Sequence, residues 1–143
     1  MTNENQAKIV GKDLSISTKQ SIEIANFIRG KNIQKAKNEL QKVIEKKLAI
    51  PFKRFNRDMG HKKGNIAAGR YPQNAAKEFL NLLKGVEANA QNKGLSTSNL
   101  VIATIIPNKA SRPWHYGRRR RIKMKRTHIE IIAEEIKKEE SKK

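Results

Sequence analysis

The most constraining feature of this sequence is a basic stretch that lies between two segments with strand character. Residues 107–128 contain nine Lys or Arg residues and no Asp or Glu. The apolar, β-branched segment 100–106 precedes this stretch, and the alternating segment 127–133 follows it. Two such strands with no helical pattern between them are expected to pair antiparallel. The sequence therefore predicts an extended β-hairpin over 100–133, with a basic tip at 107–126.

The chain as a whole carries a large excess of positive charge. Its 143 residues include 32 Lys plus Arg against 13 Asp plus Glu, a formal net charge of +19 at pH 7. A polyanion is the partner that this charge favours, because each phosphate contact releases condensed cations. The length predicts one domain, 1–143. The sequence has neither an apolar run of membrane-spanning length nor a signal-peptide pattern, so we expect a cytoplasmic protein with no membrane partner.

The sequence provides no pattern for metal binding or catalysis. Cys is absent, and the three His residues lie far apart, so we expect no metal site and no cofactor. Asp13 and Asp58 are the only Asp residues, and no nucleophile, base and orienting group can be assembled. The segment 61–64 lacks the glycine spacing and the preceding strand of a nucleotide-binding loop. We therefore expect neither an enzyme nor a small-molecule substrate.

A strand and a first helix are predicted at the start of the chain. Residues 7–16 alternate loosely between apolar and polar types, which is typical of a short strand. Ser17 and Gln20 have the spacing of a capping box at the start of a helix. Gly30 is suited to end that helix in a left-handed conformation.

Two further helices and a charged tail follow from the same kind of pattern. Asn32 is predicted to cap the second helix, whose apolar stripe continues towards Pro51. The third helix is predicted over 72–94, with an apolar face at three- and four-residue spacing. The tail, 134–143, is charged, and we expect it to fray.

A basic insertion loop, 53–71, separates the second and third helical patterns. Asp58 is its only carboxylate. The loop is longer than most connections between packed elements, so we expect it to be disordered or held by a partner. Its predicted phosphate-binding residues are Lys53, Arg54, Arg57, His61, Lys62, Lys63 and Arg70.

The basic residues of the hairpin are the second predicted phosphate-binding set. In an extended strand, the four adjacent arginines 118–121 would point alternately to both sides and meet phosphates on two faces. Arg also pairs bidentately with phosphate oxygens. The alternative is a solvated charged face or a localisation signal. The set comprises Lys109, Arg112, Arg118, Arg119, Arg120, Arg121, Lys123, Lys125 and Arg126.

Aromatic residues lie among these cations. Trp114, His115 and Tyr116 are flanked by Pro113 and Gly117, which mark the tip of the predicted hairpin. Stacking on unpaired bases is one interpretation, and it requires accessible bases. Packing of the aromatic side chains against the hairpin's own stem is the other.

Several short motifs occur in a recognisable order. They are Phe27–Lys31, Ala88–Ala90 with Asn92 and Gly94–Leu95, Pro113, Gly117–Arg118, and Lys125–Ile129. Together, over about residues 7–136, they resemble the ribosomal protein L-twenty-two family of the large subunit. The insertion, with its segments 61–64 and 69–72, is similar to the archaeal and eukaryotic branch, whose eukaryotic member is named L-seventeen.

This resemblance implies an α+β fold, in which three helices pack on a small three-stranded antiparallel sheet with one long extended β-hairpin. It implies a non-enzymatic large-subunit component that binds and crosslinks rRNA and supports subunit assembly and translation. The globular part would lie near the peptide exit, and the hairpin would line the nascent-peptide exit tunnel near ribosomal protein L-four. The implied partners are large-subunit rRNA, neighbouring ribosomal proteins and the nascent peptide.

The tip matches the family pattern only in part. Pro113, Gly117 and Arg118 fall on the pattern Pro-Arg-Ala-x-Gly-Arg-Ala, whereas Trp114, His115 and Arg119 depart from it. These departures make the tip bulkier and move charge beyond the turn. Two other classes remain open at this point: a free DNA-binding architectural protein, and an RNA-processing enzyme.

Overall fold

The computed structural model describes residues 5–136, which form an α+β fold. Its elements, in chain order, are β1 (Gln6–Leu14), α1 (Thr18–Ile28), α2 (Ile33–Ile44), β2 (Ile50–Pro51), β3 (Gly69–Arg70), α3 (Gln73–Asn92), β4 (Leu100–Lys109) and β5 (Thr127–Glu135). Short 3-10 turns occupy Thr97–Asn99 and Gly117–Arg119. The predicted fold class is confirmed, with the small two-stranded sheet of β2 and β3 in addition.

The main sheet has three antiparallel strands in the order β1, β5, β4. The antiparallel pairing of the two hairpin strands is confirmed, from Leu100 opposite Glu135 to Lys109 opposite Thr127. β5 is the central strand, so Glu134 pairs with both neighbouring strands. The predicted tail therefore begins too early, because residues 134 and 135 belong to the strand. Residues 137–143 of that tail lie outside the described part of the chain.

The helices bury their apolar stripes against one face of this sheet. Phe79 and Leu83 of α3 and Ile24 of α1 are fully buried in one cluster with Ile105 of β4 and Ile129 of β5. Burial of such side chains stabilises the fold by about 1.5–3 kcal/mol each. The predicted apolar face of the third helix is confirmed, with Ala75, Ala76, Phe79, Leu83, Val86 and Ala90 buried.

The ends of the first two helices agree with the sequence-based predictions only in part. Asn32 caps α2 as predicted, since its side-chain oxygen accepts the Gln34 N–H at 2.9 Å. The Ser17 side chain makes no capping bond, so the predicted capping box is wrong. α2 ends at Ile44 instead of continuing to Pro51, because Lys46 adopts a left-handed φ of 61°. The chain then turns, and Ile50 and Pro51 pair with β3.

Candidate nucleic-acid interface

The finger, residues 110–126, joins β4 to β5 and is held together by its own hydrogen bonds. Near its base, the Ala110 N–H donates to the Arg126 carbonyl at 3.3 Å. Further out, the Met124 N–H donates to the Pro113 carbonyl at 2.8 Å, and the His115 N–H donates to the Ile122 carbonyl at 2.9 Å. The two arms therefore stay paired to the tip, which gives the finger a defined shape without a partner.

A tight turn closes the finger at its tip. Gly117 opens this turn with a left-handed φ of 62°, and the Arg120 N–H donates to its carbonyl at 3.2 Å. The Ile122 N–H donates to the Arg119 carbonyl at 2.9 Å. The prediction that arginines 118–121 lie in an extended strand is therefore wrong. The four side chains are exposed, and they project from a turn instead of from a strand.

The positive charge of the finger lies at its surface. Every predicted phosphate-binding residue of the hairpin is exposed except Arg126, which is half-buried. Within residues 5–136, salt bridges join Lys8 to Glu130, Lys31 to Glu39, Lys37 to Glu87 and Lys47 to Glu45. None of these pairs includes a cation of the finger or of the insertion loop. The interface therefore presents cations that carboxylates of the described chain do not neutralise.

The aromatic residues of the finger are exposed to different degrees. Tyr116 is 87% exposed and Trp114 is 58% exposed. The Lys123 ammonium lies 4.5 Å from the centroid of the Trp114 ring, at cation–π distance. His115 is half-buried and donates its backbone N–H across the finger. Tyr116 thus has a free ring for contact with a partner, whereas Trp114 already contacts the opposite arm.

A buried carboxylate on α1 holds the start of the insertion loop. Glu23 is 1% exposed, and its oxygens accept the backbone N–H groups of Lys53 at 3.2 Å, Arg54 at 2.8 Å and Phe55 at 2.8 Å. Backbone donors around a carboxylate offset its desolvation. The sequence predicted that this loop is either disordered or held by a partner. In the structure, the protein's own Glu23 holds the start of the loop, which is a third alternative. A Glu on a helix gave no sequence signal for this role.

Contacts within the insertion loop continue this support. Pro51 pairs with Gly69, and His61 forms a β-bridge with Ala68, which is buried. All seven predicted phosphate-binding residues of the loop are nevertheless exposed, namely Lys53, Arg54, Arg57, His61, Lys62, Lys63 and Arg70. The loop therefore has an anchored backbone and a solvent-facing set of basic side chains.

The insertion loop and the base of the finger meet at one open groove of about 500 Å³, which we call the basic groove. Phe55 contributes from the loop, and residues on both arms of the hairpin contribute from the other side. The described residues that line the groove are Ile16, Ser17, Thr18, Lys19, Ile22, Phe55, Lys109, Arg112, Lys125 and Arg126. The sequence-based prediction did not include Lys19 or Phe55, because only the tertiary fold brings them to the hairpin.

Two guanidinium groups of the basic groove are fixed by backbone oxygens. Arg112 donates from Nε to the Met124 carbonyl at 2.9 Å and from Nη2 to the Lys123 carbonyl at 3.3 Å. Arg126 donates from Nη1 to the Asp13 carbonyl at 2.9 Å. A guanidinium has five N–H donors, so each retains donors for an anion.

The described residues include neither a metal-binding cluster nor a membrane-spanning helix. Within residues 5–136, no group of three or more His, Cys, Asp or Glu side chains is placed to hold a metal ion. Over the same residues, no helix combines the length and apolar character needed to cross a bilayer. The exposed cations of the finger and the insertion loop, on a small α+β scaffold, define a candidate nucleic-acid-binding protein.

Comparisons with known proteins give the family. The family model described as ribosomal protein L22p/L17e matches residues 9–134. Large ribosomal subunit protein uL22 of Nanoarchaeum equitans is 46% identical over an alignment that covers 94% of this chain and 81% of that protein. The uL22 of Archaeoglobus fulgidus is 42% identical, with 90% of this chain and 87% of that protein covered. The uL22 of Ignicoccus hospitalis is 40% identical, with 93% of this chain and 90% of that protein covered.

The chain belongs to the ribosomal protein L22p/L17e family. It is thus a ribosomal protein of the large subunit in the cytoplasm, and it is not an enzyme. The resemblance drawn from the short motifs is confirmed.

Proposed function

We propose that this protein binds and crosslinks large-subunit rRNA through two basic surfaces, the insertion loop and the finger. The observation that carries the proposal is the finger itself, which combines eight cations between residues 110 and 126 with no carboxylate. Its arms remain hydrogen-bonded to the tip, so the charge is presented on a preformed element. A preformed element loses less conformational entropy when it binds.

Crosslinking follows from the different elements that carry the two surfaces, which meet only at the basic groove. The insertion loop is anchored to α1 through Glu23, and the finger extends from the main sheet. RNA segments that are distant in sequence can bind to the two surfaces at the same time. Because Lys and Arg neutralise phosphates that folding brings together, the protein favours the folded rRNA and supports subunit assembly and translation.

The finger is also proposed to reach the nascent-peptide exit tunnel, with the globular part near the peptide exit. The support is the family pattern at Pro113, Gly117 and Arg118, with the tight turn at Gly117. Exposed cations along both arms and at the tip suit passage through rRNA, because they can neutralise the phosphates that the finger passes. Neighbouring ribosomal proteins and the nascent peptide are then partners in addition to rRNA.

Sedimentation of the untagged chain from lysate tests the proposal. We expect the protein to sediment with large subunits in low salt and to be released by RNase or by high salt. DNase treatment serves as the control, because a free DNA-binding architectural protein would respond to DNase and not to RNase. A slowly sedimenting pool that is indifferent to RNase would contradict the proposal.

A further inference from the structure

The basic groove combines apolar and cationic residues. A surface that binds only phosphates needs the cationic residues but not the apolar ones. The apolar part of the groove, which we call the floor, consists of Ile16, Ile22 and Phe55. Its cationic part, which we call the rim, consists of Lys19, Lys109, Arg112, Lys125 and Arg126. Of the residues that line it in the described part of the chain, none is acidic.

The apolar floor is accessible to a ligand through two of its three residues, since Ile16 is buried. Phe55 and Ile22 are only partly buried, although Phe55 packs against the core. The Lys19 ammonium lies 5.6 Å from the centroid of the Phe55 ring. At this distance the ammonium contacts the ring only weakly, so an aromatic ligand can displace it and stack on Phe55.

The rim is built to receive an anion in a fixed position. Backbone carbonyls of Met124 and Lys123 orient the Arg112 guanidinium, and those of Asp13 orient the Arg126 guanidinium. Their remaining donors suit a phosphate, with which Arg pairs bidentately. An anion therefore meets preoriented charge at the edge of an apolar floor.

We propose that the basic groove binds one unstacked nucleotide of the rRNA, with its base on the floor and its phosphate on the rim. This proposal rests on the proposed function and adds a chemical class of ligand to it. The bases of a duplex are paired and stacked, so a duplex can contact the rim only. The volume of about 500 Å³ lies within the range of roughly 300–1,000 Å³ that is typical of small-ligand pockets.

The test compares the full-length protein with Phe55→Ala and Arg112→Gln, using purified large-subunit rRNA and a fully paired RNA duplex as probes. We expect Phe55→Ala to weaken rRNA binding about 5- to 100-fold, as loss of a base contact does, with no change in the salt dependence. Its affinity for the duplex should equal that of the wild type. Arg112→Gln should weaken both complexes and lower the salt slope by about one.

A matched control separates contact from stability. Phe27 also packs partly buried against the core with a lysine at its ring, but it lies outside the basic groove. Phe27→Ala should therefore leave rRNA affinity within about twofold of the wild type, the change expected away from a contact. Ultraviolet crosslinking of the wild-type complex should additionally attach a nucleotide to the peptide that contains Phe55.

Other results would contradict the inference in distinguishable ways. If Phe55→Ala bound rRNA as tightly as the wild type does, the groove would not hold a base. The same conclusion would follow if the variant lost equal affinity for rRNA and for the duplex. If Phe55→Ala lost binding to polyglutamate and not to rRNA, the occupant would be an acidic protein segment. Absence of salt-dependent rRNA binding by the wild type would instead overturn the proposed function.

Discussion

The buried carboxylate of Glu23 on α1 accepts the backbone N–H of Arg54 at 2.8 Å. This bond connects the core to the basic insertion loop, because the same carboxylate also holds the two residues that flank Arg54. The cations of the loop are therefore displayed from a backbone that the domain itself fixes. A buried acidic residue thus orients the backbone from which exposed cations project.

Glu23→Gln should destabilise the domain and release the start of the insertion loop. The amide oxygen can still accept from Arg54 and Phe55, but the amide NH₂ then faces the Lys53 N–H, which loses its acceptor. A buried donor left unpaired costs about 1–3 kcal/mol. Urea unfolding should show this loss, and amide exchange should accelerate most at Lys53. Glu45→Gln, at an exposed site, is the control and should unfold like the wild type.

Gly117→Ala should loosen the tip of the finger and leave the core unchanged. A side chain at the left-handed φ of 62° is strained by about 1–2 kcal/mol, although no atom lies within 4 Å of the new Cβ. We expect faster amide exchange at His115 and Ile122, with an unaltered urea midpoint. Gly60→Ala is the matched control, since Gly60 has open space and no left-handed φ. Equal exchange in the two variants would contradict this prediction.

Gly85 allows α3 to approach β1 closely. A Cβ added there would lie 2.5 Å from Ile9 Cδ1, so Ile9 would have to move. Ala is favoured over Gly in a helix by about 0.5–1 kcal/mol, and we expect the clash to cancel or reverse that gain. In an Ile9→Val background, which removes Cδ1, Gly85→Ala should become stabilising. Urea unfolding of the wild type, the two single variants and the double variant measures the coupling between Ile9 and Gly85. Additive changes in the free energy of unfolding would contradict this prediction.

Local patterns predicted the parts of the fold that local physics determines. The apolar stripe through Phe79 and Leu83 identifies a helix and the face it buries. The β-branched segment from Leu100 identifies a strand. The end of α2 was not predictable in this way, because Lys46 turns the chain so that Ile50 can pair in the small sheet.

The candidate site was predictable as a charge pattern but not as a geometry. The basic groove joins Lys19, Phe55 and Arg112, which come from α1, the insertion loop and the finger. No spacing in the sequence relates residues so far apart. Glu23 is similarly inconspicuous, because a Glu in an amphipathic helix is normally interpreted as solvent-facing until its backbone partners are known.

Deletion of residues 112–121, replaced by a short glycine linker, should leave a cooperatively folding domain. The hairpin strands pair through Lys109 and Thr127, and the buried cluster lies between the helices and the sheet, so the finger adds little to the core. Urea unfolding followed by circular dichroism should give one transition with a midpoint close to that of the full chain. A broad, non-cooperative transition would show that the finger is needed for folding.

Charge reversal of arginines 118–121 to Glu should reduce incorporation into large subunits without unfolding the domain. These residues form the exposed turn at the tip, where carboxylates would repel rRNA phosphates instead of neutralising them. The matched control reverses four exposed lysines on α2 and α3, namely Lys35, Lys42, Lys77 and Lys84. Quantification of each tagged variant in gradient fractions should show a larger loss for the tip variant. Because the net charge of the two variants is equal, equal losses would mean that overall charge, and not the finger, governs incorporation.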